Sequence, residues 1–221
     1  IDVWQKMHAA GVGTANIQKY TSCIVDELTV TAAANEDLKM SLSIKSDSYG
    51  SANSTAADDP SSSKGSYSTN SQYEFFAGTM TIAGEANTAI DITNFSVTSK
   101  NGAEDRIVIG AKNPSKYPFG RIMVEGEFTL DLPNDGLKHM GSMLDNQAFA
   151  ITGTWFNAAD DQIAFNMPNC RRNPFSVNQG GGEETNEMTI PYTAYESADK
   201  TTAPITWTVI TAGLGSAFEI V

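Results

Sequence analysis

Apolar residues fall on every second position in stretch after stretch of this chain. That period commits it to β-strands, where successive side chains point to opposite faces of a sheet. Over 38–46, Leu38, Met40, Leu42 and Ile44 alternate with Lys39, Ser41, Ser43 and Lys45. Over 121–132, Ile122, Val124, Phe128, Leu130 and Leu132 take one face, and Arg121, Glu125, Glu127, Thr129 and Asp131 take the other. Strand patterns rich in Thr, Val, Ile and aromatics also cover 23–31, 73–83, 89–99, 106–110, 148–156, 162–167, 187–195 and 205–211. In 89–99 the apolar phase slips from Ile90 and Ile92 to Phe95 and Val97, which predicts a bulge near Asn94. Lys100-Asn101-Gly102 follows as a tight turn, because Asn-Gly readily supplies positive φ angles. About ten strands in a chain of this length predict an all-β fold, with two sheets face to face as a β-sandwich or one closed barrel.

A single helix fits the remaining pattern. Pro133-Asn134-Asp135-Gly136 offers capping side chains, and Leu137, Met140 and Leu144 recur at helical spacing over 137–147. It is short and amphipathic, so it is expected to flank a sheet from outside. Met7 to Tyr20 shows no clear period, with Gly11 and Gly13 interrupting it, and 1–22 reads as an N-terminal extended arm. The rest, 23–221, reads as one β-sandwich domain, the default for 221 residues. Two segments are loops by composition: 46–72, dense in Ser, Asn, Asp and Gly, and 168–186, which passes through Gly180-Gly181-Gly182. Loops of such length are uncommon inside compact domains and tend to be functional or disordered.

Composition narrows the function classes. Acidic side chains outnumber basic ones 26 to 14, a net charge of −12, so the surface repels phosphate and argues against tight nucleic-acid binding. A polyanion could still pass along such a wall as cargo without sticking. Cys23 and Cys170 match no zinc or redox spacing and read as two separate buried thiols. No stretch approaches the roughly 20 apolar residues of a membrane span, and no leader pattern opens the chain. Its first residue is Ile1, which leaves room for residues upstream.

Catalytic equipment is scant. His8 and His139 fall on the arm and the expected helix, as surface or packing residues. Ser61-Ser62-Ser63-Lys64 has the Ser-x-x-Lys form of some serine acyltransferases but lies in low-complexity loop rather than at a rigid helix start. Gly11-Val12-Gly13 does not extend to a dinucleotide fingerprint. Glu125 and Glu127 share a strand face and could hold a cation or do acid–base work, although a solvated polar face explains them first. The expectation is a protein that is not an enzyme, with no catalytic, cofactor or metal site.

Against that background, Cys23-Ile24-Val25-Asp26-Glu27-Leu28-Thr29-Val30 followed by Leu38-Lys39-Met40-Ser41-Leu42 resembles the opening hairpin of the tail tube proteins of long-tailed bacteriophages. Asn94 to Gly102, Arg106 to Gly110 and Tyr117 to Leu132 resemble the middle of that family, including a turn before a long Glu-Gly-Glu-Phe strand. Met188-Thr189-Ile190-Pro191-Tyr192 with Ile205-Thr206-Trp207-Thr208-Val209 is similar to its last two strands. The likeness covers 20–221 and departs from the family in the longer Gly-rich segment at 168–186. It implies a two-sheet sandwich with a flanking helix, and self-association into hexameric rings that stack as a hollow tube in the virion tail. It further implies assembly in the host cytoplasm, other tail proteins at the tube ends, and viral DNA as non-specific cargo.

If the two firm strands face the bore of such a tube, Lys39, Ser41, Ser43, Glu125, Glu127, Thr129 and Asp131 line it; otherwise this face is plain outer surface. The 46–72 loop, with Asp47, Asp58, Asp59 and Lys64, is the expected contact between rings. A tail terminator or a contractile-machine tube subunit with the same fold would share these features. From another class, the alternative is a secreted or surface immunoglobulin-like adhesion module.

Overall fold

Strand β9 (Met123–Asp131) shows how the alternation becomes a core. Val124, Phe128 and Leu130 are buried on one side, while Glu125 and Glu127 stand exposed on the other. Its two neighbours hold it in register: β8 (Ile92–Lys100) pairs Phe95 with Phe128, and β12 (Glu187–Ala194) pairs Ile190 with Phe128. The three strands therefore bury one shared face. Ile122, expected on that face, precedes the strand and is exposed.

The computed structural model describes residues 3–7, 16–46, 48–52, 73–82, 85–86, 92–110, 117–118, 120–131, 147–158, 161–174, 187–197, 200–210 and 218–220. Its fold is all-β and antiparallel. The other strands are β1 (Val3–Met7), β2 (Asn16–Thr21), β3 (Ile24–Ala33), β4 (Lys39–Lys45), β5 (Ser48–Ala52), β6 (Gly78–Ile82), β7 (Glu85–Ala86), β10 (Phe149–Ala158), β11 (Asp161–Arg172), β13 (Thr206–Ile210) and β14 (Phe218–Ile220). The only helical element among the described residues is a short 3-10 turn at Phe75–Ala77. The helix expected over 137–147 lies, apart from its last residue, outside the described residues.

By its contacts the chain divides into two compact units, 28–41 with 70–100 and 122–221, and 1–27 with 42–69 and 101–121. The main sheet runs β4-β3-β8-β9-β12-β11-β10-β6-β7, with β13 on β11 and β14 on β13. β11 makes the sheet curl. Its C-terminal end pairs Cys170–Arg172 with β12, whereas its N-terminal half pairs Gln162–Asn166 with β13, and β10 runs along the opposite edge. The sheet thereby folds over its own apolar face into a sandwich-like arrangement. Phe95 of β8 stacks on Phe165 of β11 with ring centroids 5.2 Å apart, and Trp155, Tyr192 and Trp207 complete the aromatic cluster. Rings in offset or tilted contact of this kind add stability beyond their buried area.

The bulge expected near Asn94 is present as a register shift between Ile92 and Asn94. Gly102 has φ +56°, as the Asn-Gly turn required. The start of the expected loop at 168–186 is strand, because β11 continues through Pro168 to Arg172, and 175–186 lie outside the described residues. Proline fits there because β10 advances from Phe149 to Ile151 while β11 advances from Cys170 to Met167, so Pro168 occupies a bulge and no ladder hydrogen bond is lost. Pro191 is tolerated for a related reason. Its carbonyl accepts from the Asn173 N–H at 2.8 Å, so its missing N–H faces the β11 side, where pairing begins only at Tyr192.

In the smaller unit, β1, β2 and β5 form a separate antiparallel sheet. Two strands thus lie within the expected arm 1–22, and Ser48–Ala52 of the expected 46–72 loop is a strand paired with β2. Residues 53–72 lie outside the described set. The strand expected at 106–110 is not formed: Arg106 makes an isolated bridge, and Ile109 and Gly110 form a turn. Cys23 and Cys170 are both buried as separate thiols, as that reading expected.

Candidate functional site

The face of β8, β9 and β12 turned away from the core is a sheet of hydroxyls and carboxylates. Register places Ser96 and Pro191 beside Glu127, Thr98 and Thr193 beside Glu125, and Asn94 and Thr189 beside Thr129. Two hydroxyl contacts cross between strands: Thr129 Oγ1 lies 3.0 Å from Thr189 Oγ1, and Thr98 Oγ1 lies 3.0 Å from Thr29 Oγ1 of β3. Cross-strand pairs of this type contribute about 0.2–1 kcal/mol each. Arg171, opposite Thr193, and Lys100, at the end of β8, supply positive charge on the same side. The result is a hydrogen-bonded polar surface, and among the described residues no catalytic groups converge on it.

The seven lining candidates separate into two places. Glu125 and Glu127 are exposed on this face, and Thr129 shares it but is only 8% exposed beneath Thr189. Asp131 closes β9 opposite Glu187. Lys39, Ser41 and Ser43 are exposed on β4, three steps away in the strand order, so the structure does not bring them beside the β9 carboxylates. Lys39 forms an exposed ion pair with Glu36 at 2.6 Å. Asp47, Asp58, Asp59 and Lys64 lie outside the described residues.

β4 itself is the more unusual feature. It ends the main sheet, so its outer row of backbone groups has no neighbour among the described residues. Both its faces are also open: Met40, Leu42 and Ile44 are 51%, 50% and 42% exposed. A seven-residue edge with a bare apolar row is the kind that proteins usually blunt or cover, and it serves as a template for another strand. The alternation of 38–46 was visible in the sequence; that neither side would be buried was not.

Chemistry is thin elsewhere. Among the described residues no group of His, Cys, Asp and Glu could hold a metal ion, and no helix is long and apolar enough to cross a membrane. Burial pushes the Cys170 thiol up to about 12, which makes it inert. Burial, with the Asp161 carboxylate 2.9 Å away, pushes the Tyr73 hydroxyl up to about 12. Both groups serve packing. The small apolar notch between Phe75, Met80, Ile92 and Trp155 holds about one water's worth of space.

Compared with known proteins, residues 5–209 match a protein family described as phage tail tube protein. No curated protein matches the chain.

Proposed function

This chain belongs to the phage tail tube protein family, and from that premise we propose that it forms hexameric rings that stack into the hollow tail tube through which viral DNA passes. The family makes it a structural component of a phage tail. The finer statement rests on one observation, the open edge of β4. A ring of identical subunits closes each edge strand against a neighbour, which satisfies the backbone row and covers Met40, Leu42 and Ile44 together.

The polar face of β8, β9 and β12 suits a bore. Glu125 and Glu127, set among Ser96, Thr98 and Thr193 with Lys100 and Arg171 nearby, would offer a hydrated surface of mixed charge without the continuous basic track that grips phosphate. Asp131 and Thr129 would extend that lining, and Lys39, Ser41 and Ser43 would sit toward the junction between subunits. The segment around Asp47, Asp58, Asp59 and Lys64 would meet the adjacent ring. Other tail proteins would cap the tube, and assembly would take place in the host cytoplasm.

Negative-stain electron microscopy of the purified chain across a concentration series tests the proposal. Tubes or six-membered rings are expected. A protein that stays monomeric at every concentration would instead favour an adhesion module.

A further inference from the structure

The segment joining β8 to β9 is built like a bracket. Asn101 donates its backbone N–H to the Asp26 carbonyl at 2.8 Å and its side-chain amide to the Val25 carbonyl at 2.7 Å. The Asp26 carboxylate accepts the Ala103 N–H at 3.1 Å and pairs with Lys45 at 3.2 Å, and the Lys45 ammonium also donates to the Ala103 carbonyl. Gly120 donates to Asn101 and Glu104 to Pro118, which ties the two legs of the bracket together.

What the bracket presents is apolar. Ile107, Val108 and Ile109 are 63%, 45% and 107% exposed, ending in a turn where Gly110 takes φ +90°. Surface turns are normally built from Gly, Asn, Asp, Pro and Ser, and three consecutive β-branched aliphatics at such a tip have no local role. A second bare strip lies on the same chain, the row Met40, Leu42 and Ile44 of β4. Each strip exposes on the order of 300–400 Å² of largely apolar surface, the size of the largest patch on a typical monomer, which is often functional. Neither strip covers the other within one chain, since both remain exposed.

We propose that the Ile107–Ile109 tip of one copy docks on the Met40, Leu42 and Ile44 row of the next copy. This rests on the tail tube assignment and names the contact by which copies recognise one another. Charge supports a second copy as the occupant. With a net charge of −12, copies repel over most of their surface, yet neither 40–44 nor 107–109 contains an ionisable residue. Those two strips are where acidic subunits can meet at least electrostatic cost. Because the strips differ, the contact is head-to-tail, the type that closes rings when its rotation permits. Together the strips fall short of the roughly 1,200 Å² of a standard stable interface, so docking works alongside strand pairing at the β4 edge.

Sedimentation velocity on Ile109→Asp, Leu42→Asp and their equimolar mixture tests this. Each variant alone is expected to need more than ten times the parent concentration to assemble. The mixture is expected to yield one-to-one dimers that do not grow, because the intact tip of Leu42→Asp meets the intact row of Ile109→Asp. Ile109 is fully exposed, so its variant should melt with the parent. If Leu42→Asp does not fold, an Ile109→Cys copy mixed with a Leu42→Cys copy should cross-link by disulfide under mild oxidation. Assembly of Ile109→Asp at the parent concentration, or absence of both the mixed dimer and the cross-link, overturns the docking while leaving the tube assignment standing. A parent chain that never self-associates overturns both.

Discussion

Replacing Gly126 with alanine probes the register on which the polar face depends. Gly126 lies mid-strand in β9, on the core side beside Tyr192, whose hydroxyl donates to the Ser96 carbonyl at 3.0 Å. A Cβ at 126 would overlap both that carbonyl oxygen and the tyrosine hydroxyl. The carbonyl belongs to the β8 backbone and cannot swing aside, so the methyl group must push β8 and β9 apart or displace Tyr192. Overpacking of this kind costs about 1–3 kcal/mol, and losing the buried hydrogen bond adds about 1 kcal/mol. Alanine recovers roughly 0.5–1 kcal/mol of strand entropy relative to glycine. The balance is a loss of about 1–3.5 kcal/mol, or about 2–14 °C in Tm for a chain of this size. Tyr192→Phe alone should cost about 1 kcal/mol. Because it also removes one of the two overlaps, the double variant should be more stable than the sum of the singles by at least about 0.5 kcal/mol. Scanning calorimetry reads all three. A Gly126→Ala protein melting within about 2 °C of the parent, or strict additivity, would refute the register.

Further outcomes follow from the same packing. Tyr73 has its hydroxyl held by Asp161, and its pKa is raised from 10.0 to about 12, so its contribution is complete below pH 10 and lost as pH rises through about 12. Tyr73→Phe should accordingly flatten the alkaline limb of a denaturant-midpoint against pH curve; an unchanged limb would contradict this. Cys170 is buried with its pKa raised to about 12, so a thiol reagent at neutral pH should label it only after denaturation. Asp26→Ala removes two anchors of the 101–110 bracket, and tryptic cleavage after Arg106 should quicken several-fold; an unaltered rate would mean that the anchors do not hold the loop.

Legibility varied with where each strand finds its cover. In β9 the burial of Val124, Phe128 and Leu130 was readable because both flanking strands lie in the same sheet and follow the same period. The gap at Gly126 was not, since it is filled by Tyr192, a residue distant in sequence. For β4 the period was plain, but periodicity tells only that two faces differ, not that either meets a core. Residues 106–110 looked like a strand because Ile107, Val108 and Ile109 are all β-branched, whereas a strand needs a partner, and no strand pairs with them among the described residues. Ser48–Ala52 had the opposite problem: its Ser-Tyr-Gly-Ser-Ala composition is that of a loop, and only pairing with β2 makes it a strand. The polar face was half legible. Glu125, Glu127 and Thr129 followed from one strand's alternation, while Ser96, Thr98, Thr189 and Thr193 join them through cross-strand register, which sequence alone does not encode.

Amide hydrogen exchange over residues 39–45, measured on the monomer and on the assembled protein, tests most directly whether an identical neighbour completes the β4 edge. Protection in that strand should rise by at least about tenfold on assembly. Exchange at the same rate in both forms would mean that the edge stays open to water and that the subunits join elsewhere.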